Sequence, residues 1–313
     1  MQVSSLLNPI SRIQHWGLGN LVYSFTRQAG IPKDLRFTAV HCVRSLISPI
    51  STITRKRLAR RYDKDAQMES SGYRFFSPKE LPGSLEIANT CLAFYQSKQD
   101  IVDNMRDDTW SVDLLSPGGP SNNDGSILAI DAEAIPGLLD FALSDTIVSS
   151  AAAYLGTIPV ISGITLYASL PNESLEGSQL YHCDIGDTRI FKCIVAVTDM
   201  TTDHGPFTFV SADQTEQIAK KFGPVTGRMS DEDVLSTSPD EISLLGERGG
   251  AIFIDTSRCL HYGSRGNTKT RVVLELQYRS ATGIEGRWQR SRQTFDTSVC
   301  GNNQIKKLVA GLL

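Results

Sequence analysis

The chain has no long apolar run, no paired cysteines and little histidine, and each shortage narrows what it can be. Nowhere in its 313 residues do 18 consecutive apolar residues occur, so no transmembrane helix is expected. Residues 1–25 lack a basic stretch followed by an apolar one, because Arg12, Gln14 and His15 interrupt the apolar positions, and no secretory leader is expected. Six cysteines (Cys42, Cys91, Cys183, Cys193, Cys259, Cys300) are spread without any C-x-x-C pair. That spread argues against a disulfide framework or a zinc knuckle and suits a reducing, cytoplasmic setting. Acid is almost missing from the first 61 positions, where ten Lys/Arg stand against Asp34 alone, while the remainder is acidic enough to bring the net charge to −3. Of the five histidines, His15 and His41 fall in expected helices and His204 in a turn, away from any metal-ligand spacing.

What is present is ordinary in bulk: 40% hydrophobic and 21% charged residues, in a chain long enough to bury a sizeable core. Residues 1–61 form a basic helical flank. Leu6, Ile10, Ile13 and Trp16 fall at helical spacing, as do Leu35, Ala39, Val43 and Leu46, the latter set bracketed by Pro32 and Pro49. The basic run Arg55–Arg61 follows. This flank reads first as helices packed on the core with a solvated basic face, and second as a peripheral contact with an anionic surface. Nucleic acid is not expected, since no binding motif accompanies the charge.

Residues 62–157 read as helical and loop support. Tyr62–Ser77 is polar and loop-like, helices are predicted over Ser84–Met105 and Pro136–Leu155, and Pro117–Gly125 is a loop. From residue 158 the period changes from helical to alternating. Val160–Leu170, Arg189–Thr198, Phe207–Ser211, Ala251–Asp255 and Val272–Arg279 read as strands. Short antiparallel strands with Gly/Pro turns suit a two-sheet jelly roll, a cupin-like double-stranded β-helix, over 158–280. The helices before it would buttress one sheet, giving a single α+β domain, with 281–313 as a C-terminal tail.

Chemistry concentrates in two stretches. Tyr181-His182-Cys183-Asp184 places an imidazole and a carboxylate two residues apart, and in an extended chain such residues point to one face. His182 and Asp184 can therefore converge on one ion while Cys183 points away. His261 follows the apolar run Ala251–Ile254 and completes two histidines and a carboxylate, the facial set of non-haem Fe(II) oxygenases. The bland reading of H-x-D alone is a hydrogen-bonded pair at a strand end.

The company of these residues is specific. Gly177–Asp184, then Arg189–Lys192, Val197-Thr198-Asp199, Gly205-Pro206-Phe207, and finally His261-Tyr262-Gly263, Asn267 and Arg271 resemble, in order, the phytanoyl-CoA dioxygenase family of 2-oxoglutarate oxygenases. The resemblance spans Leu166 to Ser280. It implies His182, Asp184 and His261 as ligands of Fe(II), 2-oxoglutarate and O2 as cosubstrates, ascorbate as an accessory reductant, and a small-molecule substrate hydroxylated with release of succinate and CO2. A fixed cation must hold the far carboxylate of 2-oxoglutarate. Arg271, ten residues after His261, suits it because a planar guanidinium matches a carboxylate bidentately. Lys192, in an otherwise apolar strand, needs a charge partner, which cosubstrate or substrate could supply, and Thr198 would face the same side. Gly263 stands where some members carry a serine toward 2-oxoglutarate, with Ser264 or Tyr262 as substitutes. Asp184 stands where halogenating relatives have a small residue. The segment Gln214–Gly246 would cross the barrel mouth, and Arg287, Trp288 and Arg290 could close over substrate. A second function class stays open: a barrel of this fold that binds metal or ligand without turnover, docked to a partner through its basic helices.

Overall fold

Alternating apolar side chains build the larger of two antiparallel sheets. In the computed structural model, which describes residues 21–98, 127–283 and 297–312 apart from positions 24, 30, 131, 133 and 174, this sheet holds the long strands. They are β1 (Tyr73–Phe76), β2 (Ile127–Ile130), β3 (Val160–Ser169), β5 (Phe191–Ala196), β9 (Ala251–Asp255) and β11 (Arg271–Arg279), in the order β1-β9-β5-β11-β3-β2. Along β11, Val272, Leu274, Leu276 and Tyr278 join the main apolar cluster, whereas Val273 belongs to a second cluster behind the sheet. That is the period-2 rule at work, and it places Arg271 and Glu275 on the same side as Val273.

The second sheet is made of two-residue strands: β4 (Tyr181–His182), β6 (Thr208–Phe209), β7 (Arg228–Met229), β8 (Ile242–Ser243) and β10 (His261–Tyr262), ordered β7-β4-β10-β6-β8. Phe209 from this sheet packs with Ile194, Ile252, Ile254 and Val273 from the larger one, so the two sheets face each other across an apolar layer. On the outer side of the large sheet lie α4 (Ser84–Gln96), α5 (Leu138–Ala142) and α6 (Asp145–Leu155), whose buried Ala88, Leu139, Ile147 and Ala151 continue the main cluster. The C-terminal α9 (Gln304–Val309) adds Leu308 and Val309 to it.

Several sequence expectations change here. Tyr62–Ser77 is not a loop. Asp65 caps α3 (Ala66–Ser71) by accepting from the Gln67 and Met68 amides, and β1 then pairs with β9. Between them Gly72 has φ +80°, and a Cβ there would stand 2.7 Å from Cys259 Sγ and 2.9 Å from Ala212 Cβ, so glycine both ends the helix and admits the close approach. The single helix expected over Pro136–Leu155 is two. The Leu143 amide closes back onto Leu139, and Ser144, extended at ψ 146°, starts α6 afresh. The helix expected from Ser84 is helical to Gln96. The Leu6–Trp16 helix, the Pro117–Gly125 loop and Arg287–Arg290 lie outside the described residues.

In the N-terminal flank, α1 (Lys33–Ile47) and α2 (Pro49–Ala59) run consecutively, separated by Ser48. The inward residues are Phe37, Val40, Thr52, Arg55 and Ala59, while Leu35 and Leu46 of the expected stripe are exposed. No helix among the described residues is long and apolar enough to cross a membrane, and all six cysteines are free, five of them buried.

Candidate metal centre

His182 and His261 are direct cross-strand partners in the β4–β10 pair, with ring centroids 4.2 Å apart. Asp184 follows β4 by two residues, and its Oδ1 lies 3.9 Å from His182 Nε2. Ligand atoms of all three residues fall within 4.8 Å of one another, the spacing a single ion needs. Each ring turns Nδ1 to a backbone carbonyl two residues earlier, His182 to Leu180 O at 2.8 Å and His261 to Cys259 O at 2.9 Å. With Nδ1–H donated there, Nε2 keeps its lone pair for a cation. Burial pulls His182 down to about 3, with His261 adding to it, and burial likewise pulls His261 down to about 4. Both rings are therefore neutral near pH 7, the form that ligates metal.

Asp184 is positioned from two sides. Its amide donates to Thr256 O at 2.8 Å, and its Oδ2 accepts from Thr256 Oγ1 at 2.7 Å and meets Lys192 Nζ at 2.9 Å. Oδ1 faces His182, 3.9 Å from its Nε2. Burial pushes this carboxyl up, but the Lys192 ammonium and the two imidazoles outweigh it and hold it below the usual carboxylate range. Thr256 belongs to a turn organised by Asp255, a fully buried carboxylate that accepts from Tyr154 Oη, the Ile190 amide and both the amide and hydroxyl of Ser257. The same turn leads through Cys259 to His261, so one buried carboxylate braces both halves of the cluster.

The three residues expected at the cosubstrate are placed differently from one another. Arg271 is buried at 5% exposure and donates to Ser169 Oγ at 3.1 Å and Gly205 O at 3.3 Å, while its Nε has no partner. Among the described residues no carboxylate forms an ion pair with it, and burial pulls it down to about 10 although Glu275, on the same side of β11, favours its charge. It lies next to Gly263, where a Cβ would stand 3.8 Å from Arg271 Nη2. Lys192 instead sits between two carboxylates of the chain itself, Asp184 and Glu275, the latter at 3.0 Å. Thr198 accepts from the Val272 amide at 3.2 Å through its hydroxyl. The two hydroxyls considered as substitutes at Gly263 are engaged elsewhere, Ser264 with Asn267 and Tyr262 with Glu241. The hydroxyl nearest a Cβ at 263 is Ser178 Oγ, at 3.7 Å.

Sequence reading missed Thr256, Asp255 and Glu275. Glu275 alone carries a signal, being a charge in an apolar strand as Lys192 is in another; in the β5–β11 register the two are diagonal neighbours, Glu275 facing Ile194 and Lys192 facing Gln277. The segment Gln214–Gly246 supplies β7 and β8, the two edges of the small sheet, and its α7 (Ala212–Phe222) and α8 (Asp231–Leu235) pack Ile218 and Val234 against Tyr181 and Leu260. Arg228 of β7 is thereby paired across from His182.

No family model matches the chain, and no curated protein matches it. Among solved structures it is similar to AviO1 from Streptomyces viridochromogenes Tue57, at 13% identity and TM-score 0.45 over 69% of this chain and 93% of that one. It is similar to SnoK, described as a non-haem α-ketoglutarate-dependent carbocyclase from nogalamycin biosynthesis, at 15% identity and TM-score 0.46 over 75% and 92%. A third is EctD from S. alaskensis with 2-oxoglutarate and 5-hydroxyectoine, at 16% identity and TM-score 0.46 over 74% and 79%. The functional reading rests on the site itself.

Proposed function

We propose that the chain is a non-haem Fe(II)- and 2-oxoglutarate-dependent dioxygenase on a double-stranded β-helix, hydroxylating a small or carrier-bound metabolite. The balance is 2-oxoglutarate, O2 and R–H giving succinate, CO2 and R–OH. The observation that carries this reading is a His182–Asp184–His261 cluster beside Arg271, a buried guanidinium that contacts no carboxylate of the described residues and whose charge is eased only from a distance by Glu275, itself paired with Lys192. A buried charge in that state calls for an anion from outside, and a dicarboxylate cosubstrate is one. The donor set fits Fe(II): two neutral imidazoles and a carboxylate, with their second atoms held by backbone and side-chain hydrogen bonds.

When bound, Fe(II) supplies an oxygen-activating centre with positions left for cosubstrate and O2. The protein's part is orientation. His182 and His261 keep their Nε2 lone pairs inward because Leu180 and Cys259 carbonyls hold Nδ1–H. Thr256 and Lys192 hold Asp184 by Oδ2, so that the carboxylate would be oriented toward an ion held by the histidines, and Glu275 balances the Lys192 charge. Arg271 receives the far carboxylate. Asp184 would serve as the carboxylate ligand that a halogenating site lacks, so halogenation is not expected, and a chlorinated product formed in chloride buffer would refute that role.

The test is succinate release from 2-oxoglutarate by protein loaded anaerobically with Fe(II) and then given air. Stoichiometric iron with succinate formation supports the oxygenase. The contact between Lys192 and Asp184 favours a second reading, a silent barrel in which the ammonium replaces a metal ion. Absence of iron binding under anaerobic loading would select it and overturn the first.

A further inference from the structure

Among the described residues, the basic flank has an outward face that packs against nothing. Inward, α1 and α2 are fastened by polar contacts. His41 lies 2.7 Å from Asp187 Oδ1 and 2.8 Å from Thr282 Oγ1, and Arg44 donates to Gly283 O. Arg55, 3% exposed, donates to the carbonyls of Ile158, Pro159 and Leu308. With Phe37, Val40, Thr52 and Ala59 also buried, the described residues fasten these helices to the core through one side.

The other side is apolar. Leu46 is 81% exposed, Ile47 58%, Ile50 81% and Ile53 65%, four aliphatic side chains within eight residues at the bend between the helices. Single exposed aliphatics are ordinary, but a cluster of this kind marks an interaction surface. Leu35, also exposed, extends the stripe along α1. The stripe continues into charge: Ile50, Ile53 and Arg57 share one helical face, with exposed Lys56, Arg60 and Arg61 beside it. No acidic residue occurs between Asp34 and Asp63.

We propose that the α1–α2 bend docks on an anionic lipid surface, Leu46, Ile47, Ile50 and Ile53 entering the headgroup–acyl boundary and Lys56, Arg57, Arg60 and Arg61 meeting the phosphates. An exposed aliphatic cluster with charge of one sign beside it suits a lipid boundary, which is fluid and anionic and asks for no shape match. A protein groove would instead need complementary pockets and hydrogen-bonding groups on the cluster. The helices lie on the membrane rather than cross it, and the proposal is independent of the reaction assigned above.

The experiment is co-sedimentation of the full chain with vesicles of phosphatidylcholine alone and of phosphatidylcholine containing about a third phosphatidylserine. The expected result is binding about tenfold stronger to the anionic vesicles and weakened by salt. Ile50→Asp with Ile53→Asp should reduce it about tenfold, and Arg57→Glu with Arg60→Glu should abolish the preference for phosphatidylserine. Both pairs change exposed positions, so their circular dichroism should match the parent, and Leu245→Asp, an exposed aliphatic elsewhere, should bind as the parent does. Equal binding to both vesicles, or binding unaffected by the isoleucine pair, overturns the proposal. So does a dimer in solution that the isoleucine pair disperses, because the cluster would then be a self-interface.

Discussion

The two sheets divide the work unequally. The large one has strands of up to ten residues, and its outer face is sealed by helices. The small one has only two-residue strands, yet it presents both histidines. Ladder length stabilises the first. Specific polar contacts hold the second, such as the Leu260 amide donating to Thr215 Oγ1 at 2.9 Å and the Val210 amide donating to Leu260 O at 2.8 Å. Ligand positions on the small sheet are thus set by individual bonds, while the charges that serve them (Lys192, Glu275, Arg271) stand on the rigid large sheet. Loss of a ligand on the small sheet should therefore remove the ion, and loss of a charge on the large sheet should fall on stability or the cosubstrate.

The largest expected effect is on the small sheet. His182→Ala or His261→Ala should abolish stoichiometric iron after desalting, with circular dichroism unchanged, because two remaining ligands do not retain a labile divalent ion. Full iron in either variant would mean the wrong cluster. Next, on the large sheet, Lys192→Met leaves two carboxylates without their cation and should cost about 3 kcal/mol in urea unfolding of the metal-free protein. Adding Glu275→Gln should recover part of that, and a strictly additive double variant would show that the two side chains are not coupled.

Arg271→Ala should raise the 2-oxoglutarate requirement about 100-fold with iron content near normal, and Arg271→Lys should restore it incompletely because a point charge lacks the guanidinium fork. An unaltered requirement removes Arg271 from that role. Thr256→Val breaks the hydrogen bond that orients Asp184 and should weaken iron binding about tenfold, measured by competition with a chelator, while leaving the 2-oxoglutarate requirement alone. The smallest effect belongs to Gly263→Ser. The new Cβ would meet only ordinary contacts beside Arg271, and its hydroxyl should lower the 2-oxoglutarate requirement about threefold. A higher requirement would place the cosubstrate elsewhere.

The same division explains what the sequence disclosed. β3, β9 and β11 are long enough to be seen, β9 as a short apolar run and the others by their pattern, and the sequence bounds all three to within a residue, as it does α1 between its prolines. Two-residue strands have no period, so of the small sheet only β6 shows as a strand signal, within Phe207–Ser211, and β4 and β10 are located only through the H-x-D motif and the family resemblance. β1 escaped because only Phe76 of its four residues is buried. Thr256 and Glu275 escaped because their partners lie 72 and 83 positions away in the chain, and such contacts leave no local pattern. The outward stripe of α1 shows the converse. Helical spacing identified Leu35 and Leu46 as one face but could not say whether that face turned in or out.

The direct opposition of His182 and His261 has a topological consequence. The two residues are 79 positions apart, and a single ion held by both would close that whole length into a ring. In loop-closure terms such a link, if permanent, removes on the order of 4 kcal/mol of unfolded-chain entropy, as a disulfide of that span does. With all six cysteines free, the chain has no covalent bond of this kind. The ion would be a staple that the cell can insert or withdraw, and it would fasten the sheet whose strands are too short to fasten themselves.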